Sequence, residues 1–356
     1  MPMLLVGATV NSAMPAFGSS FDRGTWAALV ALTGSDCYSP GGGGVTVMND
    51  GRGLAIVRGN GGALPYSAVW SAGRWGAMTA TGGTVSSFVS VPQATASGAA
   101  YVRQSGMGTS NLRVDSFSSA RSAWELGSAR ELLGDNRGIP ALAVTSSGRQ
   151  LVIDGDLRGG YRWMLGAGDA WSALATVSGA TVPAVDSASP AVVATQRVGV
   201  DEVVAAFVVA GEPRSTARIA WSTFRAGAWT TVNTLANDVV QTTGVSSPMV
   251  LTALRDGRVA LGYLTSTRAV SVGFYDGASW SPFRAVSGVS SIPQASPFAL
   301  TRGANASALL ELVYVDGATR HLRHTRLTDE AAFRWSTPAT IDSTRQWMSV
   351  WIASRL

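Results

Sequence analysis

The stretch YDGASWSPFRAV, residues 275–286, decides how the rest of the chain is read. A short polar turn delivers a tryptophan, Trp280, and an alternating run follows, which is the pattern of a hairpin turn feeding a strand. Immediately upstream lie TSTRAVSVGF (265–274), the continuous apolar run RVALGYL (258–264), the turn RDGR (255–258) and the run SPMVLTAL (247–254). Continuous β-branched runs this short suit strands buried on both faces. The period therefore holds four strands, A to D, with Trp280 opening strand D.

The same pattern recurs along the whole chain. Trp26, Trp75, Trp124, Trp171, Trp229, Trp280 and Trp335 follow one another at intervals of 49, 49, 47, 58, 51 and 55 residues. Turns of the same kind precede them in DRGTW (22–26), SAGRW (71–75), GAGDAW (166–171) and FRAGAW (224–229). Inner and middle runs repeat as well, in GLAIV (53–57), IPALAVT (139–145), QLVI (150–153), SPAVVAT (189–195), EVVAAFVV (202–209) and ALLELVYV (308–315). Self-similarity at this period marks a propeller or a solenoid, and four antiparallel strands per period is one propeller blade. The expected fold is all-β, a seven-bladed β-propeller.

The ends supply the closure. The chain opens with a strand B (PMLLVGAT, 2–9) that has no strand A before it, and RQWMSVWIAS (345–354) reads as that missing strand. Closing the ring in this way leaves no sheet edge for foreign pairing. Residues 1–356 are expected to form a single propeller domain and a monomer. Trp347 and Trp351, four apart in the closing strand, are expected to share one face and to plug the channel, the alternative being a stacking surface there.

Composition narrows the function. Charged residues make up 14% of the chain and hydrophobic ones 46%, yet no apolar run reaches the roughly 20 residues that a membrane span needs. No membrane span is expected. All 27 cationic side chains are arginine, giving a net charge of +5, but they are dispersed and form no basic run. Nucleic-acid binding is therefore not expected. Cys37 is the lone cysteine and reads as a loop thiol. The opening residues read as a strand rather than a signal peptide, although the expected location is extracellular or at the cell surface.

Polar chemistry concentrates in the B-to-C loops. Arg158, Arg162, Arg214, Arg268 and Arg320 all fall there, with Asp154 or Asp156 placed to pair with Arg158, Glu212 with Arg214, and Asp316 with Arg320. In an up-and-down blade these loops share a face with the long D-to-A loops, so the arginines are expected to ring one mouth of the channel. Arginine forks and carboxylates beside Trp163, Trp221 and Tyr66 are residue types that hold sugars, planar donors gripping hydroxyls and aromatic faces stacking on C–H patches. The expected partner is a glycan, or else a protein, on this loop face.

Over its whole length the chain resembles seven-bladed propellers of the lectin and sialidase-like type, including fucose-binding lectins whose blades each contribute Arg, an acid and Trp. The resemblance implies a non-catalytic, lectin-like module. The recurring turn, as in DGASW (276–280), differs in spacing from the Ser-x-Asp-x-Gly-x-x-Trp box of sialidases. A protein-interaction scaffold and a sialidase-like glycoside hydrolase are the alternatives. For a hydrolase, Glu311 inside ALLELVYV is the one glutamate in a buried-looking strand, where pairing with a nearby arginine is the plainer expectation.

No cofactor or metal is expected. His321 and His324, three apart in a strand, point to opposite faces. GGGG (41–44) lacks the lysine and helix of a phosphate loop. The periodic tryptophans themselves are expected to fill the wedges between blades.

Overall fold

The computed structural model describes residues 3–354 except 10–15, 23, 33–41, 60–63, 83–87, 106–109, 129, 133–138, 157–159, 168–169, 181–190, 195–200, 211–216, 237–238, 240–247, 294–297 and 305–307. Seven antiparallel sheets form the blades of a propeller, each with strands A to D in order. In the sixth blade A, B and C are Met249–Ala253, Val259–Leu264 and Val270–Tyr275, and Arg284–Ala285 completes D.

The recurring turn has a simple cause. Asp276 Oδ1 accepts the backbone N–H of Ala278 and of Ser279, both at 2.8 Å, and Gly277 takes φ +101°. An Asx turn followed by a left-handed glycine reverses the chain and delivers Trp280 opposite Tyr275. Ser281 then donates its N–H to Phe274 O at 2.7 Å and accepts Phe274 N–H on its hydroxyl at 3.0 Å. Ser172 makes the same reciprocal pair with Leu165, Thr230 with Thr223 and Ser336 with Arg326. In most blades strand D is split beyond this point into two short pieces that both pair with strand C, as Thr25–Trp26 and Val30–Ala31 pair with Ala16–Asp22. A broken outer strand is a poor template for edge pairing.

The A strands adjoin one another around the ring: Trp347–Ala353, Gly43–Val47, Gln93–Thr95, Ala141–Val144, Ala191–Ala194, Met249–Ala253 and Phe298–Arg302, which returns to Trp347–Ala353. The C-terminal strand pairs antiparallel with Met3–Thr9 and becomes strand A of the first blade. An apolar cluster fills each of the seven wedges between neighbouring blades. Each cluster contains the periodic tryptophan of the later blade: Trp75 between blades one and two, Trp124, Trp171, Trp229, Trp280 and Trp335 in the next five, and Trp26 where the seventh meets the first. Spacing the tryptophans by one blade thus spaces them by one wedge.

The expectation for Trp347 and Trp351 is corrected. The register slips between Ala8 and Thr9, which pair with Ser349 and Trp347. A bulge adds one residue and so flips the alternation beyond it. Trp347 is fully buried in the wedge between blades seven and one, donating Nε1–H to Asp342 Oδ2 at 2.8 Å, whereas Trp351 packs between blades one and two. Neither plugs the channel. Among the described residues no helix is long and apolar enough to cross a membrane.

Candidate functional site

One position on strand C governs every wedge. It lies three residues before the strand-C partner of the blade's own tryptophan, and it is occupied in order by Gly18, Ser67, Val114, Trp163, Trp221, Val272 and His324. Each shares its wedge with the tryptophan of the next blade. A Cβ on Gly18 would lie 2.6 Å from Trp75 Nε1, and Ser67 Oγ accepts Trp124 Nε1–H at 3.0 Å. Trp163 and Trp229 are T-shaped at 6.4 Å, Trp221 and Trp280 at 5.9 Å, and His324 and Trp26 at 5.5 Å. Trp163 and Trp221 are therefore strand residues packed sideways between blades, not stacking platforms beside loop arginines. Tyr66 likewise packs between blades one and two.

At Val114 the wedge opens outward. A cavity of about 260 Å³ lies there between blades three and four. Its apolar floor is Leu112, Val114, Val152 and Met164, and its polar rim is Ser116, Glu125, Ser128, Gln150 and the indole of Trp171. Gly166, cross-strand partner of Trp171, lets the ring lie against strand C, since a Cβ there would come within 2.4 Å of it. The opposite wall is anchored from below. Gly127 N–H donates to Asp115 Oδ1 at 2.9 Å, and Asp115 is held in turn by the Tyr101 hydroxyl at 3.1 Å and by the buried Arg103. Glu125 pairs with Arg121 on the outer surface.

A second opening, about 440 Å³, lies between blades five and six. Trp280, Phe283, Tyr263, Pro282 and Leu235 line it, and no charged side chain does. Phe283 lies across Gly273, where a Cβ would approach its ring to 2.8 Å.

The residues expected from the sequence are distributed differently. Asp154 and Arg162 face each other across strands B and C of the fourth blade. By alternation they share the face of Val152 and Met164, toward the third blade and next beyond the floor of the first cavity. Asp154 is 3% exposed; Oδ1 accepts Gly155 N–H at 2.9 Å and Oδ2 has no hydrogen-bond partner among the described residues. Burial pushes its carboxyl up to about 7, with the Gly155 N–H and the Arg162 charge pulling the other way. Burial in turn lowers Arg162, which Asp154 partly offsets.

Arg268 and Arg320 stand exposed at equivalent turns, at φ +62° and +60°, with their N–H groups on Thr265 O and Asp316 O. Asp316 does not pair with Arg320. Its Oδ1 is engaged by the N–H groups of Ala318 and Thr319, and its Oδ2 lies 3.3 Å from Arg323 Nε. The Asx turn commits this carboxylate before the loop arginine can reach it, which holds Asp316 below the usual carboxylate range despite partial burial. Arg158, Glu212, Arg214 and Cys37 lie outside the described residues. Glu311 is fully buried, 2.7 Å from His324 Nε2 and 3.7 Å from Arg326 Nε, with Phe21 and Trp26 against the imidazole.

The rim residues Glu125, Ser128, Gln150 and Trp171 were not singled out as ligand-binding by sequence. They belong to strand D of one blade and strands B and D of the next, so only blade packing brings them together.

In sequence, no family profile and no curated protein matches the chain. In structure it is similar to a proposed 6-phosphogluconolactonase from Bacteroides fragilis, at 13% identity and TM-score 0.63 over 99% of this chain and 97% of that one. A protein from Lactobacillus plantarum is similar at 12% identity and TM-score 0.59, over 99% of both chains. Aleuria aurantia lectin, solved in complex with Fucα1-6GlcNAc, is similar at 12% identity and TM-score 0.53 over 85% of this chain and 96% of that one. Likeness at these identities establishes the shared propeller fold.

Proposed function

We propose that this protein is a non-catalytic glycan-binding propeller, acting as a monomer in a secreted or surface-bound setting, and that the cavity between blades three and four is a sugar site. The observation that carries the reading is the composition of that cavity. An indole edge, a carboxylate, a carboxamide and two hydroxyls stand around an apolar floor. A sugar presents the same mixture, hydroxyls on its rim and C–H patches on its faces, and specific small-molecule sites combine apolar walls with a few placed polar groups. The likeness to a lectin solved with a fucosylated disaccharide supports this choice of ligand class. Exposed Arg268 and Arg320 on the B-to-C face favour a second contact surface there, with forks suited to hydroxyls or acidic groups.

Retention on columns of immobilised sugars tests the reading. The wild type is held and released by the free sugar, and the variant carrying Glu125→Ala with Gln150→Ala passes through. Passage of the wild type through every column contradicts it.

A further inference from the structure

Arg302 ends strand A of the seventh blade, in the inner ring of strands, and is only 5% exposed. Phe298 and Leu300 on the same strand face the wedge toward the sixth blade, so alternation turns Arg302 into that wedge. Its Nε is sealed from solvent and has no hydrogen-bond partner, and among the described residues no carboxylate lies within ion-pair distance of its guanidinium. The fully buried Arg103, by contrast, is matched by Asp115, and the more exposed Arg225 and Arg258 pair with Glu202 and with Asp256 and Glu330.

A second cation leans over the same spot. Arg255, on the A-to-B turn of the sixth blade, donates Nη2–H to Gly303 O at 3.1 Å and to Ala304 O at 3.0 Å. Two carbonyls fix that guanidinium without neutralising it. Burial pulls Arg302 down to about 10, and the charge of Arg255 pulls the same way, so Arg302 still carries its charge at neutral pH. The acids of the adjoining elements are already engaged, Asp256 and Glu330 by Arg258 and Glu311 by His324. Ser354 donates to Arg302 O at 3.0 Å and lies 3.2 Å from the Thr301 hydroxyl, which fixes the backbone beneath the arginine. A buried charge without a counter-ion is strongly unfavourable; a planar fork beside a second fork is the arrangement that grips a small oxyanion.

We propose that Arg302 and Arg255 form an anion-binding site at the A-to-B mouth of the wedge between blades six and seven, taking a phosphate or carboxylate group. The site is on another wedge from the sugar cavity and does not depend on it. The anion supplies the negative charge that the chain itself withholds from Arg302.

Thermal unfolding of the full chain near neutral pH tests this, with sodium phosphate and sodium acetate each compared with sodium chloride at equal ionic strength. Phosphate or acetate raises Tm saturably beyond chloride, and whichever does so identifies the group. Arg302→Met weakens the half-saturating concentration by about tenfold or more, and melts no lower than the wild type in chloride because it removes an unmatched charge. Arg255→Ala, which leaves Arg302 in place, weakens the same response and serves if the first variant does not fold. A wild type that responds alike to all three salts, or an anion response that survives both substitutions, overturns the site.

Discussion

The imidazole of His324 and the indole of Trp26 meet edge to face across the closing wedge, their centroids 5.5 Å apart at 89°. This contact joins the seventh blade to the first. It is one case of the relation that runs around the ring, in which one strand-C side chain shares its wedge with the next blade's tryptophan. At Trp163 two indoles meet across the wedge, whereas at Val114 a cavity lies beside the next blade's tryptophan.

The tightest of these contacts gives the first prediction. Gly18 leaves room for the Trp75 ring, and a Cβ there would stand 2.6 Å from Nε1. Gly18→Val should destabilise the fold by roughly 1–3 kcal/mol, the usual cost of forcing extra volume into a packed interior. Urea unfolding measures it, and a change within about 0.5 kcal/mol, typical of an inconsequential surface site, would contradict the wedge assignment.

Closure of the ring gives the second. Trp347 is fully buried, lies over Gly7 and donates to Asp342. Trp347→Ala should cost about 3–5 kcal/mol, as large aromatic truncations in cores do. Trp351, half-buried on the other face of the bulge, should cost less when truncated. Equal losses for the two would argue against the bulge.

Much of this architecture was legible in the sequence, and the reason is physical. Every wedge needs one large side chain at one place, so the blade period is written in tryptophan. The Asx-turn chemistry of DGASW marked strand D for a similar reason. The bulge at the closing strand was not legible, because alternation read from sequence assumes a constant register. Asp316 was paired with the wrong arginine because a loop read as a list of charges does not show that the turn itself consumes the carboxylate. Glu125 and Gln150 went unnoticed because they become neighbours only when two blades pack, and no local spacing records that.

Asp154 gives a prediction in pH. Its carboxyl is raised from an ordinary value of 3.8 to about 7, chiefly by burial. The folded state therefore holds a proton that the unfolded state releases, and stability contributed by this group is present below pH ~4 and lost as pH rises through about 7. The turn carboxylates Asp50, Asp201, Asp256, Asp316 and Asp342 are shifted downward and act in the opposite sense, losing their contribution only as pH falls through the acid range. Asp154→Asn should flatten the decline between about pH 4.5 and 8 and leave the variant more stable at the alkaline end, by at most roughly 4 kcal/mol. Urea midpoints across that range decide it; parallel curves for the two proteins would refute the burial argument.

Arg258 reaches from the sixth blade to Glu330 on the seventh while holding Asp256 of its own turn. Arg52 does the equivalent from the second blade, bonding Asp50 and the Ser119 carbonyl of the third. Both pairs are partly exposed, so a double-mutant cycle on Arg258 and Glu330 should give a coupling of about 0.2–1 kcal/mol. A coupling of zero would mean the Asp-Gly-Arg turns do not staple neighbouring blades.

A glycan-array screen of four proteins separates the cavity between blades three and four from the arginine-bearing loop face. They are the wild type, Glu125→Ala with Gln150→Ala, Trp171→Ala, and a variant with Arg158, Arg214, Arg268 and Arg320 all changed to alanine. A sugar site between blades three and four predicts selective binding by the wild type, its loss in both cavity variants, and its persistence in the arginine variant. A blank wild-type array, or selective binding that survives both cavity variants, would contradict it.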